Sequence, residues 1–230
     1  MRRVLGLIPA KGGSTRLPRK NILTLGAKPL LIWAGDAIKE SGICDRVVVS
    51  TEDDEIAEIA RRGGIDVPFK RPDELAGDPA GVVQVALHCL EELEKQGEQY
   101  DTLVITLPTS PFRTSTDLIH AYELFIRRQA QFLLSVSSFD HTPFAAMKIE
   151  EGVVTPCFPE YFGRKSQEMP IAFRPNGALH ILDIPAFKAT GSYLSHPLYA
   201  YEMPWPRGLD IDTAEDFAIA EAILNAGLAP

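Results

Sequence analysis

Lys11, Arg16, Arg19 and Lys20 place four cations within ten residues, in a loop that opens with Gly12, Gly13 and Ser14. Paired glycines let a backbone approach a ligand closely and turn its N–H groups toward an anion. Arginine grips phosphate oxygens at two points and lysine adds a compact charge, so phosphate binding is the chemistry this loop suits. The same composition also describes a solvated surface loop. Position favours the ligand reading, because Val4 to Ile8 is a short apolar run of the kind buried on both faces of a sheet. In open α/β sheets ligands lie beyond the carboxyl ends of the strands, where this loop must emerge. The loop is neither a Walker A sequence nor a dinucleotide fingerprint, which disfavours an ordinary ATPase or dehydrogenase.

Near the other end of the chain, Asp210 and Asp212 flank Ile211. If the segment is extended, both carboxylates share one side and Ile211 packs on the other. Like charges that close repel unless a cation lies between them. Mg2+ suits the case, since it takes one or two carboxylates and completes its shell with water and phosphate oxygens. Alone, the pair reads as a lead-in to a helix at Thr213; beside the basic loop, a metal–nucleotide site is the better account. Thr109 and Ser110 follow a strand and either touch a ligand or simply turn the chain. Arg174 and Asn176 precede another strand, and Asn176-Gly177 is also an ordinary turn pair. His88, His120, His141, His180 and His196 lack metal-ligand spacing, and neither a Ser-His-Asp motif nor a catalytic cysteine suggests itself.

These residues need a frame. Arg46–Ser50, Leu103–Leu107 and Phe132–Val136 read as further buried strands, with Val67–Phe69 a brief one limited to an edge or an end by Pro68. Helical spacing links Leu30, Leu31, Ala34, Ala37 and Ile38, with Pro29 in the first turn and Gly42 as terminator. It recurs through Ile56, Ile59 and Ala60 up to Gly63-Gly64, and from Val82 to Leu93. Ser115 is the expected N-cap of a helix through Leu118, Tyr122 and Phe125. Thr213 with Asp216 forms a capping box for a final helix. The expected fold is α/β, three layers built on a mostly parallel sheet flanked by helices. Residues 139–175 break the rhythm with five prolines and predict an irregular or hairpin-like excursion, a candidate oligomer contact. Strand character returns at Ala178–Leu182 and Leu198–Met203.

Composition sets outer limits. The 230 residues suit one domain, 1–230, and carry 23 Lys+Arg against 31 Asp+Glu, a net charge of −8. That balance disfavours a general nucleic-acid or anionic-membrane binder. It also hides an asymmetry: residues 1–28 hold seven basic side chains and no acid, leaving 16 basic against 31 acidic, a net of −15, in the rest. Cys44, Cys89 and Cys157 fit neither a disulfide framework nor a zinc site. No apolar run approaches a membrane span or a signal-peptide core, so a cytoplasmic protein is expected.

Six segments, in order, resemble the acylneuraminate (sialic acid and related nonulosonate) cytidylyltransferases. They are Ile8-Pro-Ala-Lys-Gly-Gly-Ser14 with Lys20-Asn21-Ile22, Val49-Ser-Thr-Glu-Asp53, Arg71-Pro-Asp-Glu-Leu-Ala76, Pro108-Thr-Ser-Pro111, Arg174-Pro-Asn-Gly-Ala178 and Asp210-Ile-Asp-Thr-Ala-Glu-Asp-Phe217. The resemblance implies a nucleotidyltransferase fold and transfer of CMP from CTP to an acidic 2-keto-3-deoxy sugar, releasing pyrophosphate, with Mg2+ and as a homodimer. It assigns Lys11, Gly12, Gly13, Ser14, Arg16, Lys20, Asn21 and Arg71 to the nucleotide, and Thr109, Ser110, Arg174 and Asn176 to the sugar-acid region. Lys20, Asp210 and Asp212 would be catalytic, the two aspartates carrying the metal. Lys11 stands where the family commonly has Arg, Leu107 where it often has Gln, and Phe173 where it often has Tyr. Ser14 to Pro18 looks more like the octulosonate or pseudaminate-type enzymes. A legionaminate or pseudaminate is therefore as credible a substrate as sialic acid. An octulosonate or other sugar nucleotidyltransferase of the same fold, or a nucleotide-binding homologue without turnover, is the alternative.

Overall fold

Alternation along the first strand decides the layers. In β1 (Val4–Pro9), Val4 and Ile8 join one buried cluster, Leu5 and Leu7 another, and all four are at most 2% exposed. Gly6 lies between them, where an added Cβ would sit 2.7 Å from the Ile38 terminal methyl and force it to move. The computed structural model describes residues 2–77 and 81–229. After β1 come a small hairpin, β2 (Thr24–Leu25) and β3 (Lys28–Pro29), then α1 (Leu30–Glu40), β4 (Arg46–Ser50) and α2 (Asp54–Arg62). Next are α3 (Val82–Lys95), β5 (Thr102–Thr106), α4 (Ser115–Arg127), β6 (Phe132–Ser138), and the hairpin β7 (Met147–Glu150) with β8 (Val153–Pro156). The chain closes with β9 (Phe173–Asp183), α5 (Ile184–Thr190), β10 (Leu198–Glu202) and α6 (Ala214–Asn225).

Six strands form one sheet in the order β10-β6-β9-β5-β1-β4, parallel throughout except for β9, which runs against both β5 and β6. The first cluster packs α1, α2 and α4 on one face and the second packs α3 and α5 on the other, which makes the three expected layers. Each fully buried Leu, Ile or Phe in these clusters contributes about 1.5–3 kcal/mol. A third cluster joins Leu25 and Leu30 to Phe112, Ile211, Ala220 and Ile223, so α6 clasps the small hairpin across the end of the sheet.

The expected strand at Val67–Phe69 is not one: pairing stops at a single bridge from Asp66 to Val48, and Pro68 has no N–H to extend it. The N-cap of α4 is Thr114 rather than Ser115, with Asp117 closing the capping box. Pro29 precedes α1, in β3. Arg174 to Gly177 lies inside β9 rather than ahead of it, beside a shift in register against β6. The excursion at 139–175 is hairpin-like, built from β7, β8 and short 3-10 turns. No helix among the described residues is long and apolar enough to cross a membrane.

Candidate active site

Because β1, β4 and β5 are parallel, the segments that follow them emerge at one edge of the sheet, and antiparallel β9 begins at that edge. The chain leaving β10 returns there too. The Ile211 N–H donates to the Thr109 carbonyl at 2.8 Å, and the Ile211 side chain is fully buried in the third cluster. That anchor leaves Asp210 and Asp212 lining a pocket of about 300 Å³, together with Lys11, Lys20, Asn21, Arg71 and Thr109. Leu75, Val82, Val85 and Leu107 supply an apolar wall.

The two carboxylates differ electrically. Burial pushes the Asp210 pKa above the usual carboxylate range; the neighbouring Asp212 charge adds to the rise and Thr109 works against it. Burial would raise Asp212 as well, but Lys20 and Arg16 outweigh it and hold its pKa low. Lys20 Nζ lies 2.6 Å from Asp212 Oδ1 and Arg16 Nη2 2.8 Å from Oδ2. Asp210 Oδ1 is buried with no hydrogen-bond partner among the described residues, as are the hydroxyls of Ser14 and Ser110. Buried polar atoms without partners are costly, and a ligand would satisfy them. Among the described residues no group of three or more His, Cys, Asp or Glu gathers around a common point. The pair nevertheless fits Mg2+, because an orphaned, desolvated carboxylate oxygen is a hard donor and phosphate oxygens and water fill the remaining positions.

The glycine loop is held from beneath. Gly12 donates its N–H to Glu52 Oε1 at 2.7 Å, so this donor is committed to the protein rather than left for an anion. Glu52 also binds the Arg71 guanidinium. Asn21 donates to the Lys11 carbonyl at 2.9 Å, and Arg19 turns away to Asp53 and Glu55. At Gly13 an added Cβ would meet nothing within 4 Å. The protein itself therefore does not require glycine there, whereas a ligand against the backbone would. Lys11 lines the pocket and forms no ion pair among the described residues.

The structure thus brings Lys11, Lys20, Asn21, Arg71, Thr109, Asp210 and Asp212 together, with Ser14 and Arg16 in a small adjoining recess. Arg174 and Asn176 are outside the pocket lining. Arg174 is exposed near the start of β9, and the Asn176 amide is buried between Ser135 and Ser137. Sequence reasoning gave no site role to Glu52 or to the apolar wall of Leu75, Val82 and Val85, although Glu52 and Leu75 lie in the six segments that carry the resemblance. The usable signal for Glu52 was a carboxylate just past the end of a strand parallel to β1, at the edge where the basic loop emerges. Burial pushes the Cys44 and Cys89 thiols up to about 12, which keeps them protonated and inert.

A three-layer α/β sheet with a basic loop and a carboxylate pair meeting at its carboxyl edge defines a nucleotidyltransferase. The cytidylyltransferase family model matches residues 5–123. The chain is 32% identical over 220 residues to a pseudaminic acid cytidylyltransferase of Campylobacter jejuni, covering 95% of each. It is 30% identical over 226 residues to a CMP-N,N'-diacetyllegionaminic acid synthase of Legionella pneumophila, covering 97% of each. Its fold matches a CMP:2-keto-3-deoxy-manno-octonic acid synthetase complexed with CTP, at a TM-score of 0.74 and 13% identity over 98% of this chain and 99% of that one. The chain belongs to the cytidylyltransferase family, in its nonulosonate branch, and is an enzyme.

Proposed function

We propose that the enzyme transfers CMP from CTP to the anomeric hydroxyl of a nine-carbon 2-keto-3-deoxy sugar acid of the pseudaminate, legionaminate or sialate type. The hydroxyl oxygen attacks the α-phosphorus in line, the bond to the β-phosphate oxygen breaks, and pyrophosphate leaves. The observation that carries this reading is the pocket itself, lined by Lys11, which forms no ion pair among the described residues, by Lys20, whose ammonium binds Asp212 and the Ile211 carbonyl, and by Asp210, whose Oδ1 has no partner among the described residues. Phosphoryl transfer depends on positioning and on charge placed against the phosphate oxygens, and this arrangement supplies both. Lys11, Lys20 and Arg16 would meet the triphosphate, with Lys20 and Arg16 giving up Asp212 as it enters. Asp210 and Asp212 would hold Mg2+, which when bound neutralises phosphate charge and favours departure of pyrophosphate. The backbone at Gly13 leaves room for close approach, and the apolar wall suits a nucleoside.

We further propose a cytoplasmic homodimer. Three free cysteines fit a reducing compartment. The excursion at 139–175 exposes Met147, Ile149, Val153, Val154, Phe162 and Ile171, an apolar surface suited to a second copy. Pyrophosphate release, measured for each nucleoside triphosphate paired with each of pseudaminate, legionaminate, sialate and the eight-carbon octulosonate, tests the activity. Release with CTP and a nonulosonate is expected. Release with UTP but not CTP, or with the octulosonate alone, would sink the reading.

A further inference from the structure

We infer that Glu52 is the positioning residue of the nucleotide pocket, one carboxylate that sets the glycine loop and Arg71 in register with each other. The inference rests on the reading of this pocket as a nucleotide site. Glu52 follows the end of β4 by two residues and divides its two oxygens between the glycine loop and Arg71 of the pocket wall. Oε1 accepts the Gly12 N–H at 2.7 Å, while Oε2 accepts Arg71 Nε at 3.1 Å and also Arg71 Nη2. The Arg71 side chain is 3% exposed and that of Glu52 12%, so the pair is shielded from solvent, and hydrogen bonds to a charged acceptor are strong in such surroundings. The Arg71 backbone N–H donates to the Thr51 carbonyl at 2.9 Å, which fixes the main chain and leaves the direction of the guanidinium to Glu52.

The structural duties of this segment fall on the next residue. Asp53 caps α2 through the Ile56 N–H at 3.0 Å and holds Arg19. Removing Glu52 therefore leaves the helix cap in place. What it releases is Gly12, next to the pocket residue Lys11, and Arg71, itself in the pocket lining, 59 positions apart in the chain with no other shared side-chain partner among the described residues. Glutamate reaches both where aspartate, one methylene shorter, would not.

Steady-state kinetics and calorimetric CTP binding on Glu52→Gln, Glu52→Asp, Arg71→Gln and the double variant Glu52→Gln/Arg71→Gln provide the test. Glutamine keeps an oxygen for Gly12 but loses the charge that orients Arg71. Glu52→Gln should weaken CTP binding and raise its KM about tenfold. kcat and the KM for the sugar acid should stay within about twofold, a split that general loosening of the fold would not produce. Glu52→Asp should not restore CTP binding. The double variant should bind CTP no more weakly than Arg71→Gln alone, because Glu52 acts through Arg71. Unchanged CTP binding in Glu52→Gln, or effects that add in the double variant, would overturn the inference. If Glu52→Gln does not fold, the wild-type protein decides by NMR. The Gly12 amide and Arg71 Nε–H signals should shift together over a CTP titration, and independent responses would overturn it. Wild-type protein that binds no CTP would instead sink the functional reading.

Discussion

Asp210 and Asp212 stand two residues apart and are perturbed in opposite directions, so their neutral variants should pull stability in opposite directions. A carboxyl that binds its proton more tightly folded than unfolded, as Asp210 does, destabilises the native state when ionised. The penalty is present at neutral pH and fades as pH falls through the raised value. Asp210→Asn removes it and should raise the melting temperature of metal- and nucleotide-free protein by about 2–4 °C. Asp212 is the reverse case: its low folded pKa contributes stability above the usual carboxylate range, lost as pH falls through the lowered value. Asp212→Asn should therefore lower the melting temperature at pH 7, with the deficit closing in acid. Melting curves across pH check both signs, and shifts in one direction for both variants would refute the account. Asp212→Ala, in turn, should fold and lose Mg2+-dependent pyrophosphate release, because an aspartate that is 32% exposed at a loop end supports little of the core. Near-normal turnover would remove Asp212 from the metal role.

At the scale of elements, the carboxylate pair is only as well placed as the segment between β10 and α6, and that segment is wedged tightly. A Cβ on Gly208 would lie 2.1 Å from Ser137 Oγ and 2.8 Å from the Asn176 amide nitrogen, so only a bare backbone fits two residues before Asp210. Gly208→Ala should cost about 1–3 kcal/mol of stability through overpacking. It should also reduce kcat by displacing Asp210, with CTP affinity less affected; urea melts and initial rates check this. The same packing explains what was legible in the sequence. The continuous apolar run of β1 and the helical spacing in α1, α3 and α6 are local signals, and they announced the three layers. Asn176 was read as a turn or ligand residue because its partners, Ser135 and Ser137, lie about forty residues away on another strand. Glu52, though part of one of the six resembling segments, was given no role for the same reason: its meaning depends on Gly12 and Arg71, which the sheet brings together. Periodicity reports which face is buried, not which long-range polar partner is waiting there.

For the whole molecule, the acidic total and the basic first 28 residues act as a division of labour. Of that basic segment, Lys11 and Lys20 line the pocket and Arg16 the adjoining recess, a positive edge suited to a polyanionic ligand, whereas Arg2 and Arg3 stand at the opposite end of β1. The pocket lining itself comes wholly from outside residues 139–175. That separation makes the proposed dimer testable without disturbing the nucleotide site. Ile149 is 73% exposed and Val153 62%, on the two strands of a hairpin whose residues are mostly exposed to solvent. A two-stranded hairpin alone in water is marginally stable, so a covering surface would account for its apolar residues. Charged residues at the centre of such a surface should split the copies, because a buried unpaired carboxylate costs more than the apolar contact it replaces. Ile149→Asp/Val153→Asp should sediment as a monomer where the wild type sediments as a dimer, while binding CTP with unchanged affinity. A wild-type protein that is monomeric across a wide concentration range, or a double variant that remains dimeric, would remove the hairpin from the interface.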